Sequence, residues 1–261
     1  MGGLKKPVIA GNWKMHKTIS EARILAEEVV RKSPEVSTAT LILIPPFTAI
    51  AEVKKVVAGS QLLVGAQNLF WEDQGPFTGE ISPVQLKEAG CQVVIIGHSE
   101  RRQHFGETDE TVRKKVLAAL RHDLIPVVCT GETLEQREKG QTLPVIKNQL
   151  EQSVFSMEAD KFEKIILAYE PIWAIGTGRH ATPEQAEEVQ SFIRNLIAER
   201  YGKIVADYAI ILYGGSVKPD NSFSLMKEKD VDGFLIGGAS LEAESFVAIA
   251  REAIRAYEGK K

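Results

Sequence analysis

The chain has 261 residues, of which 44% are hydrophobic and 26% charged, and its formal net charge at pH 7 is −3. This is the composition of an ordinary globular protein. The slightly acidic balance excludes the basic field that nucleic acids or anionic membrane surfaces attract. No apolar run approaches the length of a membrane span, and the first residues lack the apolar region of a signal peptide. We therefore expect a cytoplasmic protein with no nucleic-acid or membrane partner.

Eight short apolar runs alternate with amphipathic segments along the chain. The runs lie at about 7–11, 41–44, 62–65, 93–97, 125–129, 165–169, 209–212 and 233–236. The first helical segment opens on the capping box Thr18-Ile19-Ser20-Glu21, and the others lie at about 47–58, 83–89, 109–122, 143–155, 184–200, 218–228 (the weakest) and 241–257. This alternation predicts parallel strands joined by right-handed crossovers. Eight units in this length favour a single domain over 1–261, a closed (β/α)8 barrel, with an open doubly wound sheet as the alternative.

In such a barrel, chemistry collects where the strands end. The first strand is followed by Asn12 and Lys14, the fourth by His98 and Glu100, and the sixth by Glu170. The seventh and eighth are followed by the glycine-rich turns Tyr213-Gly214-Gly215-Ser216 and Gly237-Gly238-Ala239-Ser240. The ends of the second and fifth strands, Pro45-Pro46 and Thr130-Gly131-Glu132, are less informative. One carboxylate, one imidazole and one ammonium are therefore expected to face the same mouth.

The stretch 165–182 places Glu170 at the end of an apolar strand, before Pro171 and a segment that is first apolar and then glycine-rich. This pattern predicts a general base on a rigid strand beside a hinged apolar flap that excludes water. The alternative is a capping or solvated glutamate beside a packed loop. The glycines at 176 and 178 also match a dinucleotide-binding pattern, but several residues separate them from the strand. The pattern also requires an acidic residue after the next strand, and the region at that spacing, Glu199-Arg200-Tyr201, is still the end of a helical segment.

Two glycine-rich turns offer backbone N–H groups without an intervening Cβ, which favours a phosphate site. His98 opens a helical turn, where its imidazole can accept a backbone N–H and stay neutral. The remaining histidines show no metal-ligand spacing, so no metal is expected. The two cysteines, Cys91 and Cys129, have no C-x-x-C spacing and are expected to be buried free thiols.

The third connection, residues 65–80, has no regular pattern and carries Phe70, Trp71 and Phe77. Long irregular loops in compact domains are usually functional, and these aromatic residues favour burial against another molecule. We therefore expect a homo-oligomer, most simply a C2 homodimer formed through this loop. The alternative is that the loop packs back on its own barrel.

Five motifs, in the same order, resemble those of the triosephosphate isomerase family across nearly the whole chain. They are Gly11-Asn12-Trp13-Lys14-Met15, Gly97-His98-Ser99-Glu100-Arg101-Arg102, 168–178 (AYEPIWAIGTG), Tyr213-Gly214-Gly215-Ser216-Val217 and 232–241 (DGFLIGGASL). The resemblance implies a TIM barrel of eight parallel strands ringed by helices. It also implies a cofactor-free aldose–ketose isomerase of glycolysis and gluconeogenesis that interconverts dihydroxyacetone phosphate and D-glyceraldehyde 3-phosphate through an enediolate.

The resemblance also implies roles for residues that match the motifs. Glu170 would be the base, His98 the neutral electrophile, Lys14 the balancing cation, and Asn12 a group that orients the substrate oxygens. The phosphate would be held by Asn12, Lys14, Gly176, Ser216, Gly237 and Gly238. Glu100 would support Lys14, while Ile175 and Leu235 would cover Glu170 and Tyr213 would fasten the flap. Two alternatives stay open: a phosphosugar lyase of the aldolase type using Lys14 as a Schiff-base amine, and a non-catalytic barrel homologue.

Overall fold

Residues 4–175 and 181–260 are described by the computed structural model. Their eight strands pair in chain order, all parallel, and the last pairs with the first, so the sheet is a closed barrel. The open-sheet alternative is therefore wrong and the barrel prediction is confirmed. The strands are β1 (Val8–Asn12), β2 (Thr40–Ile44), β3 (Leu63–Ala66), β4 (Val93–Ile96), β5 (Ile125–Thr130), β6 (Ile166–Tyr169), β7 (Ile210–Tyr213) and β8 (Gly233–Ile236).

The described residues contain twelve α-helices around this barrel. They are α1 (Ile19–Lys32), α2 (Ile50–Val56), α3 (Pro83–Glu88), α4 (Ser99–Phe105), α5 (Asp109–Arg121), α6 (Leu134–Glu138), α7 (Thr142–Ser153), α8 (Ala159–Phe162), α9 (Pro183–Tyr201), α10 (Lys203–Tyr208), α11 (Pro219–Lys227) and α12 (Ala243–Glu258). Short 3-10 helices lie at Ser33–Val36, Phe47–Ala49, Ile172–Ala174 and Gly238–Leu241. None of the helices described is long and apolar enough to traverse a bilayer.

Capping residues fix where the main helices start. The Thr18 hydroxyl accepts the Glu21 N–H, and the Glu21 carboxylate accepts the Thr18 N–H at 2.8 Å. Thr182 and Gln185 exchange the same pair of hydrogen bonds ahead of α9, with Pro183 at its first position. Each reciprocal pair satisfies two backbone donors that a helix N-terminus otherwise leaves unpaired.

The apolar side chains form two layers separated by the sheet. Because side chains alternate along a strand, every second residue points into the barrel and the others point towards the helices. The inner layer is a packed core rather than a channel. It contains Val8, Ala10, Ile42, Ile44, Val93, Ile95, Val127, Cys129, Ile166, Ala168, Leu212 and Leu235.

Candidate active site

Glu170 is the first residue after β6, and its side chain is buried. Its backbone N–H donates to the Thr130 carbonyl at 2.8 Å, which extends the pairing of β5 and β6 by one residue. One carboxylate oxygen accepts the Ser99 backbone N–H at 3.0 Å, and the other lies 3.1 Å from His98 Nε2. The end of β6 therefore places the Glu170 carboxylate in contact with the start of α4.

His98 is the N-cap residue of α4, and its Nδ1 accepts the Glu100 backbone N–H at 3.2 Å. An acceptor nitrogen carries no proton, so the imidazole proton is on Nε2, where it faces Glu170. The helix N-terminus also disfavours a positive charge at this position. His98 Nδ1 therefore accepts a backbone N–H, as the sequence suggested, and Nε2 faces the Glu170 carboxylate.

Glu170 and His98 shift each other's pKa values in opposite directions. Burial alone would raise the pKa of Glu170, but His98, the Ser99 N–H group and Lys14 outweigh it, and the pKa is lowered. Burial alone would lower the pKa of His98, but the Glu170 carboxylate outweighs it, and the pKa is raised. The carboxylate is thus ionised, and it is held in a stabilised, resting position.

Lys14 and Asn12 come from the end of β1. The Asn12 side-chain oxygen accepts the Lys14 backbone N–H at 3.0 Å, and Lys14 has a φ of 52°, an uncommon value for a residue with a side chain. The Lys14 ammonium lies 2.5 Å from the Glu100 carboxylate. Its side chain passes so close to Gly237 that a Cβ there would lie 3.3 Å from Lys14 Cε. The ammonium is therefore positioned between His98's helix and the last glycine-rich turn.

The surroundings of the glycines differ between the turn after β7 and the turn after β8. A Cβ at Gly214 would lie 2.8 Å from Glu170 Cγ, and a Cβ at Gly215 would overlap the Tyr213 hydroxyl. A Cβ at Gly238 would meet no atom within 4 Å, so this backbone opens onto free space. The first turn therefore makes room for Glu170, and the second leaves open space beside Gly238.

A cavity of about 760 Å³ brings these residues together. Within the described residues, it is lined by the predicted Asn12, Lys14, His98, Glu170, Ile175, Ser216, Leu235, Gly237 and Gly238, and additionally by Gly214, Gly215, Val217, Lys218, Pro219, Asp220, Ala239, Glu242 and Ser245. The predicted Glu100 reaches it through Lys14, and the predicted Tyr213 is buried beneath Gly215. The predicted Gly176 lies outside the described residues.

The end of β5, which the sequence left almost uninterpreted, supports the start of the apolar segment. Glu132 is completely buried, and its carboxylate accepts from the Trp173 indole at 2.8 Å and the Tyr169 hydroxyl at 3.2 Å. Arg137 lies 3.2 Å from the same oxygen. Glu132 is distinguished by being a buried charged residue, and burial is not visible in the sequence. The sequence therefore carries no signal for its role.

The cysteines are not among the residues given above as lining the cavity. Cys91 and Cys129 are free and buried, as predicted. Within residues 4–175 and 181–260, no group of three or more His, Cys, Asp or Glu side chains is arranged to hold a metal ion. The polar groups that converge on the cavity are therefore those described above.

The 65–80 loop packs on its own barrel at its base and projects at its tip. Asp73 lies 2.9 Å from Arg121 and 2.8 Å from His122, and Phe70 stacks on Trp71 with 4.1 Å between ring centroids. Residues 72–80 are all exposed, including Phe77. The contacts of Asp73 and Trp71 with α5 and its C-terminal end agree with the alternative that the loop packs on its own barrel. Association through the exposed residues stays a prediction.

Known proteins resemble this chain over almost its full length. The family model described as triosephosphate isomerase matches residues 7–253. A triosephosphate isomerase of Caldanaerobacter subterraneus is 55% identical over 94% of this chain and 99% of its own length. Those of Thermoanaerobacter pseudethanolicus and Moorella thermoacetica are 53% and 52% identical, again over 94% of this chain and over 99% and 98% of their own lengths. With the closed barrel and the shared cavity already established, these matches show that the chain belongs to the triosephosphate isomerase family.

Proposed function

We propose that this chain interconverts dihydroxyacetone phosphate and D-glyceraldehyde 3-phosphate by proton transfer through an enediolate. The observation that carries the proposal is the Glu170 carboxylate 3.1 Å from His98 Nε2, in a cavity that Lys14 and the glycine-rich turn at Gly237 and Gly238 also line. A base, a neutral proton donor and an anion site are the three groups that this isomerisation needs.

Substrate binding begins with the phosphate. The backbone N–H groups of Ser216, Gly237 and Gly238 would hold it, with Gly176 contributing from the flap, and the Lys14 ammonium would balance its charge. Asn12 would orient the substrate oxygens. The carbonyl oxygen would then replace Glu170 as the acceptor of the His98 Nε2–H hydrogen bond.

Displacement of Glu170 from His98 makes the carboxylate a better base. Leaving His98 and the Ser99 N–H group weakens two of the interactions that lower its pKa, while burial, which raises the pKa, remains. Ile175 and Leu235 would cover the carboxylate and keep water away from it. Glu170 therefore becomes more basic at the step in which it has to accept a proton from the substrate.

The proton transfers balance within the site. Glu170 takes a proton from the carbon next to the carbonyl, and the electron pair of that C–H bond moves to form the enediolate. His98 stabilises the oxyanion through Nε2–H and moves a proton between the two oxygens. Glu170 then returns its proton to the neighbouring carbon, which gives the isomeric triose phosphate and restores the protein.

The experiment is a coupled isomerase assay on the purified protein and on E170Q. The amide has no basic oxygen, so turnover should fall by at least ~10²-fold, the low end for a positioned acid–base group. E138Q, the same change at an exposed residue of α6, should match the parent chain. Unchanged turnover in E170Q would refute the role of Glu170, and an inactive parent chain would favour the non-catalytic homologue.

The lyase alternative needs a neutral amine at Lys14. The Lys14 nitrogen lies 2.5 Å from the Glu100 carboxylate, so this ion pair would have to break before the nitrogen could attack a carbonyl. Borohydride added with the substrate should therefore leave Lys14 unmodified. A reduced adduct on Lys14 would favour the lyase.

For the whole molecule, we propose a single domain over 1–261, a cytoplasmic location and a homodimer formed through the 65–80 loop. The support for a dimer is the exposed tip at 72–80, with Phe77 39% exposed, and Met15, 94% exposed, directly beyond Lys14. Thr78 at this tip would reach towards the mouth of the second copy. Apolar side chains this exposed in loops are commonly covered by a partner.

Sedimentation equilibrium should give twice the chain mass of 28.8 kDa. Replacing Phe77 by Glu should shift the protein towards the monomer, because association would bury an unpaired charge. The control is the replacement of Phe105 by Glu, because Phe105 is a 68% exposed residue of α4 outside the 65–80 loop. A parent chain that sediments as a monomer at micromolar concentration would refute the dimer.

A further inference from the structure

Gln149, in the middle of α7, makes three hydrogen bonds to the segment that follows β5. Its side-chain oxygen accepts the Gly131 backbone N–H at 2.9 Å and the Thr130 hydroxyl, and its side-chain nitrogen donates to the Gly131 carbonyl at 3.0 Å. Both backbone groups of Gly131 are thus paired with one amide. A two-point contact of this kind fixes the orientation of a peptide unit as well as its position.

The segment held by Gln149 is the one on which Glu170 rests. The Thr130 carbonyl accepts the Glu170 N–H at 2.8 Å, and the Glu132 carbonyl accepts the Ile172 N–H at 3.1 Å. Between these two bonds, Gly131 approaches so closely that a Cβ would lie 1.8 Å from the Glu170 carbonyl oxygen. Backbone lies against backbone here, so a displacement of Gly131 displaces Glu170.

Gly131 sets the backbone position from which the Glu170 carboxylate reaches both its present partners and, in the proposed function, the substrate. The carboxylate accepts the Ser99 N–H at 3.0 Å and lies 3.1 Å from His98 Nε2, two groups of a different element. A reacting group misplaced by about 1 Å can lose about 10²-fold in rate. Gln149 is not among the residues that line the cavity, and its side-chain hydrogen bonds run to Thr130 and Gly131, so its effect on the chemistry would be transmitted through this segment.

We propose that Gln149 is a positioning residue for Glu170, acting through the backbone of Gly131. The inference rests on the proposed role of Glu170 as the base. In this proposal α7, a helix on the outside of the barrel, helps to position the Glu170 carboxylate. Phosphate binding depends on the turns after β7 and β8, which Gln149 does not contact, so substrate affinity is independent of it.

The test is Q149M, because methionine has a similar length and shape but no amide group. We expect kcat to fall about tenfold with KM within twofold of the parent chain. Q152M, the same change at an exposed position of α7, should leave both values unchanged. A folded Q149M with the parent kcat, or with a loss confined to KM, would overturn the proposal.

A measurement that needs no turnover separates this inference from the proposed function. In the parent chain the His98 Nε2 proton should give the low-field NMR signal of a hydrogen bond to a carboxylate, and Q149M should shift or broaden it. An unchanged signal would overturn the proposal even if the parent chain were inactive in the assay. If Q149M does not fold by circular dichroism, Q149E, which keeps an acceptor for the Gly131 N–H, replaces it with the same criteria and a smaller expected loss in kcat.

Discussion

At the scale of single residues, four ionisable groups at the cavity form two close pairs. Glu170 is paired with His98 and the Ser99 N–H group, and Lys14 with Glu100. Each pairing lowers the cost of burying charge in the barrel mouth. In the proposed mechanism the contacts of Glu170 are exchanged for contacts with the substrate, so the stability of this side chain and its readiness for the reaction are linked.

Lys14 illustrates what a sequence does not show at this scale. Its position two residues beyond β1 is predictable, but its φ of 52° is not. The Asn12 side chain and the Gln67 amide, which donates to the Lys14 carbonyl at 2.7 Å, hold this backbone from both sides. Backbone strain of this kind costs about 1–3 kcal/mol and persists only where surrounding contacts fix it.

The two thiols give a prediction at the residue scale. Burial raises the pKa of Cys91 to about 12 and that of Cys129 well above its ordinary value. At pH 8, a pKa near 12 leaves about 10⁻⁴ of a thiol ionised, against roughly a quarter for an ordinary cysteine. A disulfide reagent such as DTNB should therefore react at least ~10³-fold more slowly with the folded chain than with the chain unfolded in guanidinium. Rapid release of one equivalent from the folded chain would contradict this.

At the scale of elements, the eight strands were predictable from the sequence, whereas several short helices were not. All eight strands lie within one residue of the apolar runs at each end, because a strand buried on both faces must be apolar throughout. The helices α4, α6, α8 and α10 were not predicted as separate elements. They have four to seven residues, too few for an apolar period to show.

The residues in and around the functional cavity also divide into those that the sequence predicts and those that it does not. Side chains at or just beyond a strand end, such as Asn12, His98 and Glu170, were predictable because barrel geometry alone brings strand ends together. Gln149 was not, because it lies 18 residues beyond Gly131 on an outer helix and meets it only after the barrel closes. Its role depends on tertiary contact between elements, and no local pattern marks it.

At the scale of the whole molecule, the two ends of the barrel carry different polar clusters. The groups of the cavity follow the strands, whereas a second cluster precedes β1, β7 and β8. In that cluster, Asp232 lies 2.9 Å from Lys6 and 2.7 Å from Arg194, and it accepts the Ile211 N–H at 3.0 Å. Arg194 also binds Asp230 and the carbonyls of Ala206 and Ala209. These contacts join three neighbouring strands at the end remote from the chemistry.

The separation of the two clusters predicts that stability and catalysis can be changed independently. R194L would leave Asp230 and Asp232, each 5% exposed, without their guanidinium partner. Removing one member of a buried ion pair costs about 3–5 kcal/mol, so the free energy of unfolding in urea should fall by this amount. The kcat/KM of the folded variant should stay within about twofold of the parent chain, because every contact that is lost lies before the strands.

The control for R194L is R113L, the same change at an exposed position of α5, which should alter the free energy of unfolding by less than ~0.5 kcal/mol. Activity must be measured below the urea concentration at which R194L begins to unfold, so that only folded molecules are compared. A folded R194L with kcat reduced tenfold would show that the remote cluster reaches the cavity. Unfolding unchanged from the parent chain would instead show that Lys6 alone neutralises the buried carboxylates.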